Sequence, residues 1–250
     1  MAHREDLYAL LGKYQELSNI HPRRNAQAND EAMAFFVWQC NAIERNQLTL
    51  KEVEEVINSG VSNVTESNRE ELEAVGLYEA MKYVLEIVEE NRELTENDVK
   101  RLHTLLYFGA SADFKGQYRT DYVTIPHARN LPPVRHISYY MNQLFDKYNK
   151  MQDVDIVDRV AQFHLDFEAI HPFGDGNGQV GRLIINYQLL RAGYPYICIH
   201  ANIKKQYIKA FEHYYESGNT DISEMRQIII DALYDELTAR IEVLEKASKK

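Results

Sequence analysis

Cysteine is nearly absent from this chain: Cys40 and Cys198 are the only two among 250 residues. Two thiols cannot build a disulfide framework or a four-thiolate zinc site, which points to a reducing, cytoplasmic setting. An apolar leader is missing after Met1, where Ala-His-Arg-Glu-Asp follows, so secretion is not indicated. No uninterrupted apolar run approaches membrane-spanning length. Basic charge is also in deficit. Lys and Arg total 28 against 38 Asp and Glu, a formal net charge of -10, whereas a general nucleic-acid surface needs the opposite balance. The dense basic spots, Arg23-Arg24 and the tail Lys246, Lys249 and Lys250, read as solvated ends. Repeats, low-complexity blocks and Pro/Gly/Ser linkers are lacking too, which excludes a multi-module chain.

What is present is 45% hydrophobic and 26% charged residues, enough apolar material for a real core. The patterning is mainly helical. Met33, Phe36, Val37, Cys40 and Ile43 share one face of a helix that Asp30 can cap, with Glu44 at the edge of that face. Thr49-Leu-Lys-Glu52, Ser67-Asn-Arg-Glu70 and Thr95-Glu-Asn-Asp98 place a hydroxyl three residues before an acid, the signature of a helix start, and Gly60 reads as a stop between helices. The stretch from His21 to Asn29 reads as a flexible joint. Val160, Phe163, Phe167 and Ile170 form one helix stripe, and Val180, Leu183, Ile184, Tyr187 and Leu190 another. A helix from Lys204 to about Ser217 is broken by Gly218-Asn219, and Ile222 to Ala247 makes a last long helix that packs internally or on a second chain. Only Tyr118 to Ile125 alternates like a strand; with the return through Leu131-Pro132-Pro133 it suits a small hairpin or flap.

Between the two striped helices lies His171-Pro-Phe-Gly-Asp175-Gly-Asn177-Gly-Gln-Val-Gly181-Arg182, a glycine-rich connection with no apolar residue from Gly174 to Gln179. Successive amides in such a loop, opening onto a helix N-terminus, cradle an anion, and a phosphate is the natural occupant. Asp175 is placed to hold a hard divalent cation shared with phosphate oxygens. Arg182, one turn into the helix, can fork onto a second phosphate. His171, the loop's one group titrating near neutral pH, is the candidate general base. Two other motifs overlap the loop and fit poorly. Gly176-x-Gly178-x-x-Gly181 matches the dinucleotide fingerprint but follows a helix instead of a strand. Asp175-x-Asn177 opens like a calcium-binding loop, yet Val180 and Asn186 stand where its turn glycine and bidentate glutamate belong.

These residues resemble the signature of Fic (filamentation induced by cAMP) domain proteins, His-Pro-Phe-x-Asp/Glu-Gly-Asn-Gly/Lys-Arg-x-x-Arg. Every position matches except the first motif arginine, where Gln179 stands. The resemblance runs from about Leu102-His103 through Gly116-Gln-Tyr-Arg119, the flap, and Phe163-His164, to about Tyr215. It implies an all-α Fic helical bundle with a small β-hairpin flap. It also implies that His171 takes the proton of a target hydroxyl, which attacks the α-phosphate of ATP, while Asp175 binds Mg2+. Gly176, Asn177, Gly178, Gln179 and Gly181 would line the phosphate site, Arg182 would hold the γ-phosphate, and Tyr207 and Asn202 would close the base pocket. Val123, Thr124 and Ile125 would align the target segment.

The family's inhibitory helix, Ser/Thr-x-x-x-Glu-Gly/Asn, is similar to Cys40-Asn-Ala-Ile-Glu44-Arg-Asn46, with Cys40 for the hydroxyl and Arg45 for the small residue. Glu44 is then a brake on Arg182, and Arg45 either restores charge over the phosphates or locks Glu44. The resemblance divides the chain into an N-terminal helical region (1–95, inhibitory helix about 30–46), a Fic core (96–218) and a C-terminal helix (219–250). The reading is a self-inhibited protein adenylyltransferase. It uses ATP and Mg2+ on the Ser, Thr or Tyr hydroxyls of a target protein or of itself. Removal of AMP by the same site, and a catalytically weak nucleotide-sensing module, are its alternatives.

Overall fold

The run Asn177–Arg191 carries apolar residues on every side, so a helix formed from it has no face to give to solvent and belongs at the centre. The computed structural model, which describes residues 4–59, 69–107, 114–125 and 131–248, places it there. In chain order the described residues form α1 (Arg4–Ile20), α2 (Pro22–Ile43), α3 (Leu50–Ser59), α4 (Arg69–Glu89), α5 (Glu96–Leu106), α6 (Ile137–Lys150), α7 (Ile156–Ile170), α8 (Asn177–Arg191), α9 (Lys204–Glu216) and α10 (Ser223–Ala247). No strand occurs among them, and none of these helices is long and apolar enough to cross a membrane.

The pair α7 and α8 divides the core into two apolar clusters. On one side α2, α4, α5 and α6 bring Val37, Met81, Leu102 and Met141 against Phe167 and Leu183. On the other, α1, α9 and α10 bring Leu7, Tyr214, Ile229 and Leu233 against Leu165 and Ile185. At about 1.5–3 kcal/mol for each fully buried large apolar side chain, this two-sided burial holds α8 as a rigid base for its own N-terminus. One buried amide of α8 is satisfied by the chain that follows it. Asn186 Oδ1 accepts the Ile197 N–H at 2.8 Å, and its Nδ2 donates to the Ile197 carbonyl at 3.0 Å. The C-terminal stripe Ile228, Ile229, Leu233, Leu237, Ile241 and Leu244 is buried within this chain, the internal of the two packings expected for it.

Two helix starts follow the sequence signal. Thr95 Oγ1 accepts the Asp98 N–H at 3.2 Å and Asp98 Oδ2 accepts the Thr95 N–H at 2.8 Å; Thr49 and Glu52 repeat the exchange. Ser67 and Gly60 lie outside the described residues. The flexible joint is not found. His21 to Asn29 continues into helix because Pro22 sits at the first helical position, where it loses no N–H bond. Asn29 is tied down by the Tyr196 hydroxyl on its carbonyl and by Arg240 Nη1 on its side chain at 2.8 Å. Asp30 therefore lies inside α2 and caps nothing.

The strand over Tyr118 to Ile125 is also not found. Its buried member is a charged residue, Arg119, whose N–H bonds the Pro172 carbonyl at 2.9 Å instead of a strand partner. Residues 126–130, the tip of the expected hairpin, lie outside the described residues.

Candidate active site

His171 ends α7 in the left-handed region (φ 49), its N–H still bonded to the Phe167 carbonyl at 2.9 Å. The chain then turns through Gly176 (φ 78), a conformation that favours glycine, into α8. The turn is clamped from within by Asn177. Its Oδ1 accepts the Phe173 N–H and its Nδ2 donates to the Phe173 carbonyl, both at 2.9 Å, so this buried side chain shapes the loop instead of reaching into the cleft. The first intrahelical bond runs from Val180 N to Gly176 O. The amides of Asn177, Gly178 and Gln179 therefore precede the ladder and point to the open N-terminus of α8, the place where the sequence leads us to expect an anion.

A second layer fixes the loop from behind. His103 accepts the Gly116 N–H on Nδ1 at 2.9 Å and donates Nε2–H to the Asp175 carbonyl at 3.1 Å, while its ring stacks on Phe173. These partners assign a neutral Nε2–H tautomer, and burial pushes the His103 pKa down to about 4. Arg119 Nε donates to the His171 carbonyl at 2.9 Å and its Nη2 to the Pro132 carbonyl at 2.9 Å, joining the loop to the start of α6. Neither contact was read as functional from the sequence, because a single His or Arg outside a motif carries no spacing signal.

His171 Nδ1 lies 3.3 Å from Glu168 Oε2, a buried carboxylate one turn back on α7. Burial opposes the charge of Glu168, but the hydrogen bond from His171 and the positive charge of Arg182 help hold its pKa below the ordinary value. His164 Nε2 meets the Tyr207 hydroxyl at 2.6 Å, and burial lowers the His164 pKa to about 4. A Cβ on Gly181 would fall 2.6 Å from this ring. Gly181→Ala is therefore expected to lower stability by about 1–3 kcal/mol, read as a shift of the urea midpoint.

Acid should weaken the fold through the two buried histidines. Each has a folded pKa near 4 against an ordinary 6.5, so the unfolded chain binds more protons between those values. Stability present above pH 6.5 is then lost as pH falls toward 4, with a slope of up to about 3 kcal/mol per pH unit when both titrate together. Urea unfolding at a series of pH values measures it, and a flat profile across this window would refute it.

Arg182 faces the cradle from one turn inside α8 and is buried. Its Nε donates to Cys40 Sγ at 3.0 Å, and its Nη2 donates to the Cys40 carbonyl at 3.2 Å and to Glu44 Oε1 at 2.7 Å. Burial pushes the Cys40 thiol up, so it meets the guanidinium as a neutral acceptor and Glu44 is the anion in contact. A Cβ on Gly178 would lie 3.0 Å from both Glu44 Oε1 and Arg182 Nη1. The ion pair thus sits directly over the first turn of α8. Gln179, standing at the motif arginine position, donates Nε2–H to Asn41 Oδ1 at 3.0 Å and fastens α8 to α2. Lys204 holds the same helix end through the Ile43 carbonyl. Arg45, with φ 72, is exposed and makes no ion pair with Glu44, so the locking contact considered for it is not formed.

These groups line one cleft of about 330 Å³ that includes Glu44, His171, Asp175, Gly176, Asn177, Gly178, Gln179, Arg182, Lys204 and Tyr207. Gly181 lies behind it, against His164. Asn202 is exposed on the 3-10 turn Ala201–Ile203 and does not line the cleft, because α9 presents Tyr207 and Phe211 to it instead. Val123 and Ile125 are half-buried and Thr124 is exposed, in a segment that is neither helix nor strand. Asp175 is an exposed carboxylate with Oδ1 on the Gly176 N–H at 2.9 Å. No cluster of three acid, His or Cys ligands occurs among the described residues. A single carboxylate beside a phosphate cradle fits Mg2+ that arrives with a nucleotide, not a resident ion caged by protein.

Residues 93–189, which contain this loop, match the Fic/DOC family. The chain carries a Fic domain. Among curated relatives, the protein adenylyltransferase Fic of Drosophila erecta is 28% identical over 90% of this chain and 46% of the fly protein. The protein adenylyltransferase fic-1 of Caenorhabditis elegans is 27% identical over 71% of this chain and 35% of its own length. The chain thus spans less than half of these two relatives. Solved structures share the fold around the Fic domain. A Fic domain containing signaling protein from Bacteroides thetaiotaomicron superposes with a TM-score of 0.84 at 23% identity, covering 96% of this chain and 97% of that one. A fragment of Fic-1 from C. elegans gives 0.85 at 21% identity, covering 98% and 73%.

Proposed function

We propose that this chain is a self-inhibited protein adenylyltransferase, moving AMP from ATP to a Ser, Thr or Tyr hydroxyl of a protein and releasing pyrophosphate. The observation that carries the reading is the Glu44–Arg182 pair at 2.7 Å, seated over the first turn of α8. A carboxylate there occupies the place where an anionic ligand would meet the free amides and the guanidinium. The Fic domain and the relatives named adenylyltransferases support the same chemistry.

In this reading the amides of Asn177, Gly178 and Gln179 hold phosphate oxygens and Arg182 takes the γ-phosphate once Glu44 withdraws. Asp175 would hold Mg2+, which neutralises charge on the phosphates when bound. His171 accepts the proton of the attacking hydroxyl. Val123, Thr124 and Ile125, beside Arg119, guide the target backbone by edge pairing. Catalysis is then positioning and charge stabilisation around an in-line phosphoryl centre. Incubation with labelled ATP and Mg2+ tests it: weak labelling of the protein or added proteins in the parent, strong labelling for Glu44→Gly, none when His171→Ala is added.

A second reading has its own support. The Glu44 side chain is 43% exposed, so its free oxygen can orient a water in the cleft and the same site can remove AMP. Loss of AMP release from a modified target in Glu44→Ala would favour it.

A further inference from the structure

Glu168 is a carboxylate where the sequence calls for an apolar residue. It sits on α7 between Phe167 and Ile170, is 8% exposed, and lies in the wall of the cleft. Burying a charge is costly unless it is paired, yet among the described residues its side chain makes one hydrogen bond, to His171 Nδ1 at 3.3 Å. Its other oxygen, Oε1, is buried without a partner. His171 meets it by adopting a left-handed backbone (φ 49, ψ 64), unfavourable for a residue with a Cβ, which turns the ring back onto the last turn of its own helix. Arg119 holds the His171 carbonyl in that conformation at 2.9 Å. Three separate features, a buried acid, a strained backbone and an arginine clamp, converge on the orientation of one imidazole.

We infer that Glu168 is the positioning residue of His171: its carboxylate accepts the Nδ1 proton and fixes the tautomer whose Nε2 is free in the cleft. An acid on one ring nitrogen dictates which nitrogen is the base. Isolated imidazole side chains favour the Nε2–H form, which would present a proton where a base is needed, so the carboxylate reverses the intrinsic preference. Its role in the reaction rests on the adenylyltransferase reading. There, Nε2 takes the proton of the target hydroxyl while that oxygen bonds to the α-phosphorus and the bond to the pyrophosphate oxygen breaks. The imidazolium so formed carries Nδ1–H on Glu168, which offsets its charge.

The tautomer is measurable without any activity. In protein labelled with 15N-histidine, at a pH where the imidazole is neutral, His171 is expected to show a protonated Nδ1 and an unprotonated Nε2, the resonance being assigned by its absence in His171→Gln. Glu168→Leu should move His171 toward Nε2–H, whereas Glu168→Gln, which keeps an acceptor oxygen, should preserve the tautomer. In the Glu44→Gly background, Glu168→Leu should lower kcat roughly 100-fold with the KM for ATP changed by less than about threefold, and Glu168→Gln should recover most of it. An Nε2–H form in the parent, or an unchanged tautomer in folded Glu168→Leu, overturns the inference; should Glu168→Leu fail to fold, the parent spectrum and Glu168→Gln still decide it. If Glu44→Gly transfers no AMP, the functional reading fails while the tautomer result stands.

Discussion

Glu44→Gly is expected to raise AMP transfer by about 10- to 100-fold, the equivalent of one charge-assisted hydrogen bond of roughly 1.5–3 kcal/mol that the nucleotide no longer has to displace. The estimate rests on how Arg182 is held. Its guanidinium stays fixed by Cys40, through Sγ at 3.0 Å and the carbonyl at 3.2 Å, when the carboxylate is removed. Glu44, in contrast, is a half-exposed residue at the C-terminal end of α2, and α2 keeps its other ties to α8 and α9 through Asn41 and Ile43. The substitution therefore frees a prepared cation at small cost to the fold. Glu44→Gln keeps the hydrogen bond without the charge and should fall between parent and Glu44→Gly. Unchanged labelling in Glu44→Gly at saturating ATP, in a protein that still melts like the parent, would count against the brake.

The loop stood out in the sequence because it is local: His171, Asp175, the glycines and Arg182 fall within twelve residues, and the structure ties two of the glycines to the fold, Gly176 through its positive φ and Gly181 through its packing on His164. The Glu44–Arg182 contact was legible only through resemblance, since the two residues meet across 138 positions and no spacing rule reaches that far. Glu168 was hidden for a different reason. Periodicity places it on the apolar face of α7, and an acid on such a face carries no sequence mark of its own; its interval of three from His171 was the available clue. The two misread segments share one cause. His21 to Asn29 and Tyr118 to Ile125 were judged by composition and alternation, whereas their conformations are set by distant partners, Tyr196 and Arg240 on Asn29, and Pro172 on Arg119.

Gln179 shows how a departure from the motif can keep structural sense. A neutral amide cannot replace a guanidinium on phosphate, but here it bonds Asn41 at 3.0 Å and couples α8 to α2. Arg182 and Lys204 are then the cations facing the cleft from α8 and α9, and Lys204 is engaged by the end of α2. The C-terminal end of α2 thus holds both groups.

His171→Ala in the released Glu44→Gly protein is expected to lower AMP transfer by roughly 100- to 10,000-fold, the range for loss of a positioned general base. The same change has a structural consequence that must be separated from the chemical one. Without the imidazole, the buried Glu168 carboxylate keeps no hydrogen bond among the described residues, at a cost of about 1–3 kcal/mol. His171→Gln resolves the two, because its amide can still donate to Glu168 yet accepts no proton from a hydroxyl. If base chemistry sets the rate, Ala and Gln should lose transfer alike while Ala alone lowers the urea midpoint. If activity instead follows stability, with Gln retaining transfer close to that of the released parent, His171 serves to hold the loop and the proton must go elsewhere.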